Sequence, residues 1–216
     1  MPQQFIERLL DLIFPKFCVS CGKLFCFICE NCYQKINFIP MSIRIELEPA
    51  YLDQLFVAAN YQDPISKLIK TLKYQGVKNI AQLLGTMFWE NSYFPKMDLI
   101  TAVPIHQKRL RERGFNQSEL IARKLASLAG IPYLGILKKG KHSKRQASSK
   151  NREQRLSQLI GSFSLSTKPK PISYLNKSII IVDDVITTGA TLNECAKVLK
   201  KVGLKKVIGL AVAHEA

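Results

Sequence analysis

The sequence predicts an α/β chain: a mostly parallel sheet with helices on both faces, preceded by a small cysteine-rich module. Three observations carry that prediction. Apolar runs of strand length alternate with stretches of helical periodicity from residue 51 onward. One run, Ile179-Ile180-Ile181-Val182, is continuously apolar, as a strand buried on both faces must be. Five of the six cysteines fall between residues 18 and 32, outside the alternating part.

The elements follow in order. Residues 3–14 predict a short amphipathic helix, with Phe5, Ile6, Leu9, Leu10 and Ile13 near helical spacing and Pro15 as its stop. Its apolar face suits packing on the chain's own body, or docking to a membrane or partner. The cysteines come next, then a linker containing Pro40 and Pro49. A boundary near residue 50 gives a module over 1–50 and an α/β domain over 51–216. Residues 55–61 read as a strand. Pro64 opens a helix through Ile65, Leu68, Ile69 and Leu72, and Gly76 ends it. Residues 78–91 form a second helix, and 98–103 a buried strand ending at Pro104. A helix over 117–129 is closed by Gly130. Residues 179–182 are the most apolar strand. A helix over 188–202 ends at Gly203, and 207–213 is the last strand.

One segment breaks the pattern. Residues 138–155 are polar, strongly basic and too long for an ordinary connection. Both a mobile loop over a site and a solvated insertion fit that composition.

Composition narrows the class. The chain has 216 residues, 47% of them hydrophobic, enough for a sizeable core. Lys and Arg number 32 against 16 acids, a formal net charge of +16. Such a balance favours an anionic partner, although a basic proteome background gives the same count. No stretch reaches the roughly 18 to 20 apolar residues of a membrane span. Glu7, Arg8 and Asp11 interrupt the first apolar residues, which argues against a signal peptide and for a cytoplasmic protein. Cytosolic thiols stay reduced, so closely spaced cysteines point to metal.

The strongest motif runs from Ile179 through Asp183-Asp184-Val185-Ile186-Thr187-Thr188-Gly189-Ala190-Thr191. A buried strand leads to two adjacent acids, then to a loop of hydroxyls and glycine entering a helix. Ligands bind at the carboxyl ends of strands in such sheets. Backbone N–H groups at a loop and helix start make an anion site, and Gly189 lets the backbone approach a phosphate. Thr187, Thr188 and Thr191 add hydroxyl donors. Asp183 and Asp184 would repel that phosphate; they suit the hydroxyls of a sugar, or Mg²⁺ and its waters.

A second segment is basic. Val103-Pro104-Ile105-His106 follows a strand, and Arg109, Arg111 and Arg113 precede Gly114-Phe115-Asn116-Gln117-Ser118. The arginines are costly to cluster without an anion or Glu112 to offset them. His106 suits a structural role and a ligand contact equally.

Cys18-x-x-Cys21 and Cys29-x-x-Cys32 form two pairs whose thiolates suit a tetrahedral structural Zn²⁺. The gap between the pairs is short for a zinc ribbon. Cys26-x-x-Cys29 is also a pair, so spacing leaves the ligand set open. Cys195 falls in a helix and reads as a core thiol.

The acidic and threonine string resembles the phosphoribosyl pyrophosphate motif of type I phosphoribosyltransferases. The resemblance implies that Asp183 and Asp184 face ribose hydroxyls and that Thr187, Thr188, Gly189, Ala190 and Thr191 wrap the 5-phosphate. Some members of that superfamily carry an acidic base where Thr187 stands, which argues against a mechanism using one here. With Leu72-Lys73-Tyr74-Gln75-Gly76 and Arg113-Gly114-Phe115-Asn116-Gln117, nearly the whole chain resembles the ComF family of competence proteins. That resemblance puts Pro104, Ile105, His106, Arg109 and Arg113 on the pyrophosphate side and selects Cys29 and Cys32 as the second zinc pair. It aligns Gln146 and Arg155 with a loop motif, from which Gln158 departs.

The resemblance implies a competence and DNA-uptake protein with a phosphoribosyl pyrophosphate site, Mg²⁺ arriving with that ligand. It also implies single-stranded DNA binding at the cytoplasmic side, beside membrane-bound uptake machinery in transformation. An active phosphoribosyltransferase, hence a glycosyltransferase, with an unnamed acceptor base is the alternative. A sensor that keeps the site without turnover is a third reading.

Overall fold

A computed structural model describes residues 15–39, 42–43, 49–140, 161–166 and 176–215. The predicted helix over 3–14 and the basic residues Lys141, Lys144, Arg145, Lys150, Arg152 and Arg155 lie outside them, as do Gln146 and Gln158.

Among the described residues the main sheet has five strands: β1 (Ser42–Ile43), β2 (Gln54–Asn60), β3 (Leu99–Ala102), β6 (Ser178–Ile186) and β7 (Lys206–His214). Their order is β1-β2-β7-β6-β3. Of the sheet's pairings among the described residues, β1–β2 alone is antiparallel. Two short strands, β4 (Leu137–Lys139) and β5 (Phe163–Leu165), make a separate antiparallel pair. The helices among the described residues are α1 (Glu30–Tyr33), α2 (Ile65–Gln75), α3 (Asn79–Asn91), α4 (Gln107–Arg113), α5 (Gln117–Ala129) and α6 (Ala190–Lys201).

Helices cover both faces, as the continuous apolar strands require. On one face Leu68, Ile69, Leu72, Leu84, Phe88, Ile121 and Leu125 pack against Ile180 and Val182. On the other, Leu192, Cys195 and Leu199 of α6 pack against Ile179, Ile181 and Val207, with Ile136 and Phe163 beside them. Each fully buried Leu or Ile contributes about 1.5–3 kcal/mol by leaving water. Gly209 makes the second face possible, because a Cβ there would sit 2.9 Å from Leu55 and 3.1 Å from Leu192.

The cysteine module shares the first core. Val19, Phe27, Ile28 and Tyr33 pack against it. The Ile39 N–H donates to the Ala58 carbonyl at 2.7 Å, and Asn91 donates to the Tyr33 hydroxyl at 2.8 Å.

The structure adds elements that periodicity did not show. The arginine-rich run is a helix, α4, which buries no residue and therefore displays no apolar stripe. Lys138 and Lys139 belong to β4 and begin the basic segment inside a strand pair. The most apolar strand is longer than its apolar run. It continues through the two acids to Ile186, because Asp183, Val185 and Ile186 keep parallel register with Ala211, Ala213 and His214.

Candidate functional site

The site forms at the carboxyl ends of the parallel strands. Asp183 and Asp184 lie in β6 and are both buried, at 8% and 4% exposure. Successive strand side chains point to opposite faces, so the two acids have different neighbours. Asp184 turns toward α2, where Lys73 Nζ lies 2.7 Å from its Oδ2. Its Oδ1 accepts from the Val185 N–H at 2.8 Å. Asp183 Oδ1 accepts from the Ser118 hydroxyl and from the Asp184 N–H, each at 2.9 Å. Both bonds end on Oδ1, and neither involves Oδ2. Burial pushes the Asp183 carboxyl up to about 7, and the neighbouring Asp184 charge adds to the rise.

Ser118 is held by the segment around it. Asn116 caps α5: its side-chain oxygen accepts from the Ser118 N–H at 3.1 Å. Its amide nitrogen donates to the Val103 carbonyl at 2.9 Å, fastening the helix start to the end of β3. Asn116, Gln117 and Ser118 thus bring a hydroxyl from one strand–helix unit to an acid on the next.

Beyond β6, Thr187, Thr188 and Gly189 form the turn into α6. Gly189 is the N-cap with φ +75°, a left-handed conformation that side chains rarely adopt. Thr188 Oγ1 accepts from the Ala190 N–H at 3.4 Å, and Asn193 N–H returns to the Gly189 carbonyl at 2.9 Å. Ala190 and Thr191 fall in the first turn, where N–H groups lack intrahelical partners and the helix dipole favours an anion. His214 Nε2 lies 3.0 Å from the Thr187 carbonyl and ties the loop to the end of β7.

Across the strand ends, Pro104 and Ile105 lead to His106, whose Nδ1 accepts from the Lys108 N–H at 3.2 Å and caps α4. The three arginines have different surroundings. Arg113 donates to Gln117 at 3.1 Å and lies over the Tyr74 ring at 5.5 Å. Arg109 and Arg111 are exposed. Lys139 brings a further cation: burial lowers its pKa, and its neighbours in charge include Arg109 and Asp183. A cleft of about 440 Å³ opens between Pro104, Ile105, Arg123, Tyr133, Leu137 and Lys139.

In the cysteine module, the sulfurs of Cys18, Cys21, Cys29 and Cys32 lie within 4.8 Å of one another. Three of these residues are buried and Cys21 is exposed. Their soft, converging donors fit a tetrahedral zinc site. Cys26 stays outside that group, its sulfur 3.8 Å from the Lys23 carbonyl. Cys195 is a fully buried core residue.

Sequence reasoning named the acids and the threonine loop but gave Ser118, Lys73 and Lys139 no place beside the acids. Lys73 and Ser118 stood inside the quoted motifs, yet spacing cannot show which residue meets which strand.

Comparison with known proteins agrees with this architecture. A family model described as a phosphoribosyl transferase domain matches residues 114–216. Competence protein F of Haemophilus influenzae is 31% identical over 204 residues, covering 90% of this chain and 82% of that protein. Competence protein ComFC of Bacillus subtilis is 28% identical, covering 91% of this chain and 83% of its own. DNA utilization protein YhgH of Salmonella typhi is 28% identical, covering 83% and 74% respectively.

Proposed function

Because the chain belongs to the ComF family of competence proteins and carries a type I phosphoribosyltransferase-like fold, we propose that it binds phosphoribosyl pyrophosphate and single-stranded DNA in DNA uptake. The observation that carries the first half is the pairing of Asp183, held by Ser118, with the Gly189 turn at the end of one strand. Asp183 and Asp184 accept from ribose hydroxyls. The N–H groups and hydroxyls of Thr187, Thr188, Gly189, Ala190 and Thr191 hold the 5-phosphate. Pro104, Ile105 and His106, with Arg109 and Arg113, face the pyrophosphate. Mg²⁺ would arrive with the ligand and offset the charge of its diphosphate. Cys18, Cys21, Cys29 and Cys32 hold a structural Zn²⁺ that fixes the N-terminal module.

The DNA half rests on the names of the relatives and on the net charge of +16. Lysines and arginines neutralise phosphates and bind the strand without reading its bases. The protein works at the cytoplasmic side of the uptake machinery. No helix among the described residues is long and apolar enough to cross a membrane.

Isothermal calorimetry with phosphoribosyl pyrophosphate and Mg²⁺ tests the site. The parent binds, and Asp183→Ala and Asp184→Ala each lose affinity, since charge-assisted hydrogen bonds contribute about 1.5–3 kcal/mol. Unchanged binding by both variants overturns the assignment.

The cleft favours a second reading, transfer to a base. Arg123 lies 4.3 Å over the Tyr133 ring, and Ile105, Leu134 and Leu137 offer apolar walls for a flat heterocycle. Pyrophosphate release across a panel of nucleobases decides between binding and turnover.

A further inference from the structure

We propose that Lys73 is a positioning residue of the sugar-phosphate site, and that its ammonium fills the cation place beside Asp184 which a divalent metal would otherwise take. The inference rests on the reading of that site given above, and deepens it.

Two adjacent buried acids form an obvious place for Mg²⁺, which binds through one or two carboxylates and keeps several waters. The donor set does not fit a metal held directly by this pair. Each Asp184 oxygen already has one partner, Oδ2 the Lys73 ammonium in an ion pair at 2.7 Å and Oδ1 the Val185 N–H, which leaves acceptor capacity for a hydroxyl but puts a cation where a metal would bind. Asp183 has Oδ1 engaged twice and offers one oxygen, toward the opposite face of the strand. A metal bridging the acids would need Lys73 to leave and the strand to turn.

Lys73 is built into this place. Its side chain is 18% exposed and that of Asp184 5%, so water screens the pair little. It stands in the last turn of α2, where the helix dipole favours a cation. Ile65, Leu68, Ile69 and Leu72 bury the face of α2 that fixes its position. Tyr74 beside it carries Arg113 over its ring, so α2 also touches the segment that delivers Ser118. Burial raises the Tyr61 pKa, and the charge of Lys73 works against that rise.

The consequence is chemical. Asp184 has its counter-cation in Lys73 without a metal, and a phosphorylated ribose is taken through hydroxyl and phosphate contacts. Mg²⁺ matters only for a ligand that carries its own diphosphate. Removing the ammonium leaves a buried, uncompensated carboxylate, which recruits a divalent cation in its place.

The test uses full-length, zinc-loaded protein. Calorimetry with MnCl₂ alone is expected to show no saturable site below millimolar concentration in the parent and in Lys73→Arg. Lys73→Met is expected to bind Mn²⁺ at least tenfold more tightly than the parent. Equal Mn²⁺ binding by parent and Lys73→Met overturns the inference. If Lys73→Met is unstable, the same comparison is made by thermal unfolding: a Tm raised by MnCl₂ in the variant alone supports it, and no rise overturns it.

The second arm uses ribose 5-phosphate, which has no diphosphate. Parent binding is expected to be the same with and without Mg²⁺, whereas Lys73→Met binds only with Mg²⁺. A parent that needs Mg²⁺ for ribose 5-phosphate overturns the inference. A parent that binds this ligand under neither condition sinks the sugar-phosphate reading itself, and the Mn²⁺ arm then decides the role of Lys73 by itself.

Discussion

The Ser118 hydroxyl donates to Asp183 Oδ1 at 2.9 Å, joining residues 65 positions apart in the sequence. The bond links the start of α5 to the acid of β6 and fixes which Asp183 oxygen is occupied. It also lowers the cost of a buried charge, since a hydrogen bond to the ionised form favours that form.

Ser118→Ala is therefore expected to weaken phosphoribosyl pyrophosphate binding about tenfold or more, from a hydrogen bond to a charged group of about 1.5–3 kcal/mol. The α5 cap at Asn116 is kept, so the Tm should move by only a few degrees. Calorimetry and thermal unfolding read the two effects separately. Affinity equal to the parent's would show that Ser118 does not hold the ligand-facing acid.

The pH dependence of ligand-free stability follows from Asp183. Burial, reinforced by the Asp184 charge, raises its pKa from 3.8 to about 7. A carboxyl harder to ionise in the folded chain than in the unfolded one favours folding while it is protonated. That contribution is complete below the unfolded value and disappears as pH rises through about 7. The Tm of the parent, minus that of Asp183→Asn, should fall between pH 4 and pH 8. A difference that is flat over this range contradicts the burial effect.

Zinc content should be about one ion per chain as purified. Replacing Cys18, Cys21, Cys29 or Cys32 by Ser should lower it. The altered module should also loosen its packing on the core, where Val19, Phe27 and Ile28 lie. Cys26→Ser should keep its metal, because that sulfur lies outside the cluster of four. Elemental analysis and thermal unfolding of the five variants give the answer. Zinc loss confined to Cys26→Ser would mean a different ligand set.

Single-stranded DNA should bind with little sequence preference and weaken steeply with salt, with a slope of about −0.7 for each phosphate contact. Fluorescence anisotropy at several salt concentrations measures it. Lys141, Lys144 and Arg145 changed together to Ala should reduce both affinity and slope. Phosphoribosyl pyrophosphate should compete if the two sites overlap. No binding at low salt would remove the DNA reading, whereas an unaffected triple variant would move the contact surface to the cysteine module or α4.

The sequence by itself determined the alternating architecture, the motif at Asp183 to Thr191 and the paired cysteines. Each is a local pattern: continuous apolar runs demand burial, and Gly189 in a threonine loop implies a backbone turn that N–H groups can line. α5 was legible to the residue, because Gly130 closes it and its apolar face repeats with the helix; that Asn116 caps its start came from the structure. Tertiary structure decided the rest. α4 has no buried side to leave a trace in the sequence, and β4 is too short to show a period. Which cation meets Asp184, and which hydroxyl meets Asp183, depends on parallel strands placing the ends of α2 and α5 beside β6. Residues 73 and 118 become neighbours of the acids only through that packing. Spacing along the chain carries periodicity within an element, but not the register between elements.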